Sequence, residues 1–297
     1  TRADTRLRPR PVDLTTADLV RKLEAPDAWW RELAQRLLVE RAEPAALPQI
    51  EKVATKGNSP EARTRALWTL AGLGRLSPAI VGAALKDAAA GGREQGLILA
   101  GPMLEAEPEL AAAVLRAASD ADPRVRFCAA LVLGSWKDAR AVGALAAIAA
   151  RDGLDRWVRA AVLSGIGGRL EAFRTAFASG QMPPTAAAGA VLEDLGRLMG
   201  AGATLAECGQ FLGQALAAEA KAAWRVPAVL GLAEGLRSRS DFKNKPAGAA
   251  LAAVGQQGGG ASSAELEEFF QRAVALAADE RAPVALRSSA IGVRGHT

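Results

Sequence analysis

Apolar residues return at helical spacing along most of this chain, and the clearest stretches share one kind of opening. DAWWRELAQRLL from Asp27, SPEARTRALWTL from Ser59, GGREQGLILAGPML from Gly91, DPRVRFCAALVLG from Asp122 and DRWVRAAVLSGIG from Asp155 superpose on a central arginine. These arginines, Arg31, Arg63, Arg93, Arg126 and Arg159, are separated by 32, 30, 33 and 33 residues. Asp27, Ser59, Asp122 and Asp155 stand four residues before the arginine, where a side-chain oxygen can accept from the first free amides of a helix. Pro60 and Pro123 follow at the first helical position, where no amide hydrogen is missed. Val125, Ala129, Val132 and Leu133 then trace one apolar face. Each opening therefore predicts an amphipathic helix.

Second helices are predicted between these, three of them starting at Glu43-Pro44, Ser77-Pro78 and Glu107-Pro108, and a fourth running from Asp138 through Ala150 without a proline. Such a pair of antiparallel helices cannot bury its apolar face alone and must stack on its neighbours. The expected fold is all-α, an α-solenoid. A tail over 1–14 leads into regular repeats over 15–168, which continue into degenerate ones over 169–297. In that last part SGQMPP at 179–184 and VGQQGGGASS at 254–263 read as surface loops between helices near 185–199, 204–236 and 264–279. WRVPAVLGLAEGLRSR from Trp224 and APVALRSSAIG from Ala282 look like worn copies of the opening. Pro283 to Arg294 reads as one more helix cut off at Thr297, so a piece of a longer protein is expected.

Composition agrees with closely packed helices: half the residues are apolar, 4% are aromatic and there is no tyrosine, so Ala, Leu and Val must fill the core. The net charge is +5, from 37 Lys and Arg against 32 Asp and Glu, and the signs alternate along most helices. A nucleic-acid binder ordinarily gathers its cations on one face. The local excess, Arg2, Arg6, Arg8 and Arg10 beside Asp4, reads as a solvated tail. No apolar stretch reaches the length of a membrane span, and the start lacks a hydrophobic signal core, so a soluble segment without membrane insertion is expected.

Candidate chemistry is sparse. Cys128 and Cys208 lie 80 residues apart without CxxC, CxxCH or a nearby histidine, and both read as buried apolar residues, so no metal and no cofactor is assigned. The arginine ladder, with Asp27, Asp122 and Asp155, reads as a device for binding capping carboxylates and carbonyls of adjacent repeats, with a polyanion site as its rival. Lys52, Lys86 and Arg116 each lie eight residues after Pro44, Pro78 and Pro108. They form either a stripe for an acidic protein partner or three cations in last helical turns, where the helix dipole favours them. Trp29 and Trp30 are adjacent and point about 100° apart on a helix, so they cannot both face one core, and the pair reads as a wedge at the first hairpin, with ligand stacking as its rival. Trp68, Trp136, Trp157 and Trp224 read as core or inter-repeat residues. The glycines at 258–260 lack the strand and GK[ST] of a phosphate cradle, and Glu193 with Asp194, or Glu267 with Glu268, read as solvated carboxylates. No catalytic residue is assigned.

The motif DPxVRxxAAxxLG at Asp122 to Gly134 resembles HEAT repeats of the short bacterial, PBS-lyase-like type, and the resemblance covers most of the chain. AWWRELAQRLLVER from Ala28, ARTRALWTLAGLG from Ala62 and the stretch from Asp122 to Ala149 resemble more narrowly the HEAT region of bacterial fusion proteins. In those a glucose/sorbosone-dehydrogenase-like propeller precedes the repeats and a c-type cytochrome follows. The resemblance implies a periplasmic or exported oxidoreductase in which this segment, lacking CxxCH and propeller strands, is a non-catalytic spacer or docking scaffold. Its partners would be other proteins or flanking domains of the same polypeptide. Two other classes compete. A HEAT-like DNA-glycosylase-type or nucleic-acid-binding protein needs a basic face with an acid and aromatics around a flipped base, which the balanced charge disfavours. A bilin-lyase-like chromophore binder needs a polar pocket or a committed cysteine.

Overall fold

The computed structural model describes residues 13–179, 186–218, 222, 224–258, 261–281 and 284–291, and among them every regular element is helical. The arginines of the tail, Met182 with its two prolines, and Gly259–Gly260 lie outside the described residues. The chain divides into two compact units, Thr1–Val132 and Leu133–Thr297. The division falls inside a helix, well before the point where the repeat signature fades.

The first unit holds α1 (Thr16–Lys22), α2 (Ala28–Arg41), α3 (Leu47–Lys56), α4 (Pro60–Gly72), α5 (Pro78–Ala84), α6 (Ala90–Ala100), α7 (Pro108–Ala117) and most of α8 (Pro123–Ser135). The caps are the predicted ones. Asp27 accepts from the Trp29 amide at 2.9 Å, Ser59 from Ala62 at 3.1 Å and Asp122 from Arg124 at 2.8 Å. Helix α6 has no cap side chain of its own and starts instead from Asp87, which accepts from the Ala89 amide at 2.9 Å. Alternate helices stack on each other, α2 on α4 and α4 on α6 in one row, α3 on α5 and α5 on α7 in the other. Between the rows lie Leu19, Leu23, Ile50, Leu70, Leu97 and many alanines, all without solvent contact or nearly so. Small side chains let the helix axes approach, which is how an aromatic-poor chain closes its core.

The second unit continues with α9 (Arg140–Asp152), α10 (Arg156–Ser164), α11 (Leu170–Ser179), α12 (Ala186–Gly202), α13 (Leu205–Ala217), α14 (Arg225–Arg237), α15 (Ala247–Gly258), α16 (Ser263–Ala278) and α17 (Val284–Ile291). Again two rows form: α10, α12, α14 and α17 pack in succession, while α9 packs on α11 and α13 on α15. Two expectations are corrected here. The span 204–236 is two helices broken at Ala218, and Val254 to Gly258, expected in a loop, close α15 instead. Glycine does not stop this helix; Gly255 lies inside α15, where a Cβ would come within 2.7 Å of the Ala261 carbonyl oxygen and only glycine fits.

The tightest seam in this unit joins α12 to α14. Gly196 and Gly200 on one helix face Gly231 and Gly235 on the other. A Cβ on Gly231 would lie 1.9 Å from the Glu193 carbonyl oxygen, and one on Gly235 would lie 2.1 Å from that of Arg197. The two backbones touch, so only hydrogen fits at these four positions. A similar approach brings Gly165 to Gly134, where a Cβ would stand 2.3 Å from the facing Cα.

Candidate functional site

The ladder arginines follow one rule. Each turns Nη1 back on the loop before its own helix: Arg31 donates to the Ala25 and Pro26 carbonyls at 2.7 Å, and Arg63 to Gly57 at 2.9 Å. Arg93 reaches Asp87 and Ala88 at 2.9 and 3.1 Å, Arg126 Asp120 and Ala121 at 2.7 and 3.0 Å, and Arg159 Gly153 and Leu154 at 2.9 and 3.1 Å. These carbonyls stand five and six residues before the arginine.

The remaining donors of Arg63, Arg93 and Arg159 take carboxylates from elsewhere. Arg63 grips Asp87 through Nε and Nη2, both at 2.7 Å, and Arg93 grips Asp120 in the same way, both at 2.8 Å. Arg159 reaches Asp194 at 2.8 Å. In the first unit the result is a chain. Asp87 gives its carboxylate to Arg63 and its carbonyl to Arg93, and Asp120 gives its carboxylate to Arg93 and its carbonyl to Arg126. Planar two-point pairing is what a guanidinium does better than an ammonium, which explains arginine rather than lysine here.

The partner carboxylates are therefore not the capping Asp27, Asp122 and Asp155, which are spent on backbone amides. Those that answer Arg63, Arg93 and Arg159 are Asp87, Asp120 and Asp194. A spacing signal existed for two of them, since Asp87 and Asp120 each lie six residues before the next ladder arginine. The residue at that place before Arg63 is Gly57, where a Cβ would meet the Val53 carbonyl oxygen at 2.6 Å. Glycine at that place has no carboxylate to offer Arg31. Asp194, expected to be solvated, is shared by Arg159 and Arg197, and Arg197 also holds Glu193 and, at 2.9 Å, Glu234 on α14.

Enclosure tunes these groups. The Asp87 side chain is 6% exposed and that of Asp120 is 14% exposed. The Arg63 guanidinium holds the Asp87 carboxyl below the ordinary aspartate range, and Arg93 does the same for Asp120. Burial pushes the Cys128 thiol up to about 11 and raises that of Cys208, so neither is poised for attachment chemistry. Arg225, buried beside the end of α13, donates to the Ala215 and Leu216 carbonyls at 3.0 and 2.8 Å and sits 5.0 Å over the Phe269 ring. A cation at a helix C-terminus is favourable, which accounts for a buried arginine that donates to these carbonyls.

The three cations after the prolines are all exposed, but they do not share a height on their helices. Lys52 is in the middle of α3, because Pro44 opens a short 3-10 turn ahead of that helix. Lys86 lies beyond the end of α5, and Arg116 alone is in a last turn. The helix-end account thus applies to Arg116 and fails for Lys52. Of the tryptophans, Trp136 is buried and Trp68 is half-buried, with its indole N–H donated to Gln95 at 2.8 Å. Trp30 packs against the core under Lys22, whereas Trp29 is 55% exposed. Trp157, expected inside, is 62% exposed.

The grooves offer little chemistry. One of about 560 Å³ between α2 and α4 is lined by Val39, Trp68 and Ala71 with Glu32, Arg36 and Glu40 at its rim. Another of about 330 Å³ beside α11 and α13 has its charges already committed: Arg169 to the Gly134 and Trp136 carbonyls, Glu171 to Arg174, Glu207 to the Thr204 cap. Among the described residues no group of three or more His, Cys, Asp or Glu could hold a metal, and no helix is long and apolar enough to cross a membrane.

No family model matches the chain, and no curated protein matches it. Among solved structures it is similar to that of Kap121p, with a TM-score of 0.41 and 12% identity over 95% of this chain and 37% of that one. The chain thus spans little more than a third of that protein. Its own helix pairing gives the architecture. It is a HEAT-like array of helical hairpins.

Proposed function

We propose that this chain is a non-catalytic scaffold whose exposed helix faces dock other proteins, and that it serves as the spacer between a dehydrogenase module and a c-type cytochrome of an exported protein. The observation that carries the scaffold reading is the fate of the polar side chains. The enclosed pairs Arg63–Asp87 and Arg93–Asp120 are consumed in latching one repeat to the next, and the charges lining the groove beside Arg169 are consumed in caps and internal pairs. A site for acid–base or nucleophilic work needs such groups uncommitted and converging on a substrate.

Support for the setting comes from the resemblance of the openings at Ala28, Ala62 and Asp122 to the fusion-protein repeats. A stack of repeats fixes the separation and orientation of whatever its ends carry, and that is a sufficient contribution to electron transfer. Lys52, Lys86 and Arg116 are the proposed contacts for an acidic partner. Their combined charge reversal should weaken an identified partner at low salt and leave the helical content unchanged.

The test compares this segment with the full-length gene product in haem absorbance and dye-linked sugar oxidation. The segment alone should give neither signal and the full-length product both. Turnover by the segment alone would overturn the scaffold reading; a full-length product without either module would overturn the setting only.

A further inference from the structure

The turn joining α9 to α10 holds the two most exposed large apolar side chains of the second unit's first four helices, Leu154 at 66% and Trp157 at 62%. The repeat does not require them. They stand five and two residues before Arg159; the same places before Arg63, Arg93 and Arg126 hold Asn58 and Glu61, Ala88 and Gly91, and Ala121 and Arg124, and only before Arg31, with Pro26 and Trp29, does an exposed tryptophan recur without a large apolar partner. Paired apolar side chains in open solvent mark a surface that something covers.

The turn is also held rigid. Arg159 donates to the carbonyls of Gly153 and Leu154 while its other edge is anchored on Asp194, and the Asp155 carboxylate accepts from the Trp157 and Val158 amides at 2.7 and 3.2 Å. The Arg156 guanidinium lies 4.5 Å from the Trp157 ring centroid and covers one of its faces. Little freedom is left to lose on binding, which is the condition under which a Trp and Arg cluster acts as an anchor.

Charge decides what covers it. Arg151 and Arg156 are exposed, and no ion pair to a carboxylate is formed by either among the described residues. Yet Arg151, Asp152, Asp155 and Arg156 sum to zero formal charge, so the diffuse negative potential of a bilayer gains nothing at this turn. Individual carboxylates placed between apolar side chains can meet the two arginines one at a time. That arrangement belongs to a protein.

We propose that the 151–157 turn is the docking point for an acidic, amphipathic segment of a protein partner, whose apolar side chains cover Leu154 and Trp157 and whose carboxylates meet Arg151 and Arg156. The proposal rests on the scaffold reading and names its contact. A phage-displayed random dodecapeptide library, selected on the full chain, supplies the probe. Enriched peptides should carry apolar residues flanked by Asp or Glu, and should bind Trp157→Ser at least about thirtyfold more weakly and Arg156→Glu about tenfold more weakly, with circular dichroism unchanged. Enrichment that ignores Trp157→Ser, or no enrichment at all, would overturn the docking point without touching the scaffold reading, which stands or falls on turnover by the segment alone. Trp157-dependent sedimentation with phosphatidylserine-containing vesicles, in place of peptide binding, would replace the protein with a membrane.

Discussion

The α4–α8 region and the α12–α14 seam solve the same problem, fixing one helical hairpin on the next, with opposite means. In the first, side chains reach across: Arg63 to Asp87, Arg93 to Asp120, each acid also serving the following turn. In the second, Gly196, Gly200, Gly231 and Gly235 let two backbones meet, and the Arg197–Glu234 pair crosses only at the solvent-facing edge. A latch of ions answers to pH and can be weakened piecemeal. Backbone contact answers to volume alone, and a single methyl group is enough to part it.

The largest effect is therefore expected in the seam. Gly231→Ala combined with Gly235→Ala places two methyl groups within 1.9 and 2.1 Å of carbonyl oxygens that belong to the facing helix. Overpacking ordinarily costs about 1–3 kcal/mol per site and more where backbone must move, so a loss of roughly 3 kcal/mol or more is expected. Urea unfolding monitored by circular dichroism would measure it. A loss below about 1 kcal/mol would mean that the helices separate freely and that the seam does not hold the unit.

The ladder should be the next most sensitive. Asp120→Ala removes both acceptors of the Arg93 fork and the cap on the Asp122 amide, and leaves Arg93 only its carbonyls. Hydrogen bonds to charged groups contribute about 1.5–3 kcal/mol, and the pair is enclosed, so a loss of about 2 kcal/mol is expected. Asp120→Asn keeps the cap and should lose about half as much. The exposed Arg272–Glu268 pair gives the contrast: Glu268→Gln should cost under about 0.5 kcal/mol. Equal effects at Asp120 and Glu268 in urea titrations would reduce the ladder to ordinary surface pairing.

Acid separates the two devices without mutation. The carboxyls of Asp87 and Asp120 are held below the reference value of 3.8 by their arginines, so the folded state binds protons less readily than the unfolded one. Their contribution is complete above the unfolded value and is lost as pH falls from about 4 toward the folded values. Hydrogen exchange corrected for intrinsic rates should show peptides of α4 to α8 losing protection as pH falls below the reference value of 3.8, ahead of those of α12 and α14. Uniform opening of both regions would end the distinction.

How much of this could be read from the sequence follows the same division. The helices, caps and arginine period of the first part depend on residues whose chemistry is local, so the caps Asp27, Ser59, Asp122 and Asp155 are legible in the sequence alone. The carboxylates that answer the arginines are 24 to 35 residues away, and their roles depend on which turn stacks on which. Equal spacing from a proline places Lys52 too near a helix end, because Pro44–Ala46 form a separate 3-10 turn and α3 itself starts only at Leu47. The glycines of α12 and α14 read as wear in a repeat, since glycine is a poor helix former and its use is visible only when the facing backbone is known. Trp157 was misplaced for a related reason: an aromatic two residues into a helix is apolar by composition, and exposure is decided by the turn before it.

The smallest prediction tests whether glycine in these helices always marks contact. Gly143 lies inside α9, is exposed, and has open space around the position a Cβ would take. Nothing in its surroundings requires hydrogen there, and its φ is not in the left-handed region. Replacing it with alanine removes backbone freedom from the unfolded chain and adds no clash, so Gly143→Ala should stabilise by about 0.5–1 kcal/mol. The sign is opposite to that expected for Gly231 and Gly235, although all three are glycines within helices. Thermal and urea unfolding of the single variant would measure it. A destabilisation would show that the face of α9 carrying Gly143 is covered by something outside the described residues, and glycine would then be a contact residue along the second unit rather than at one seam.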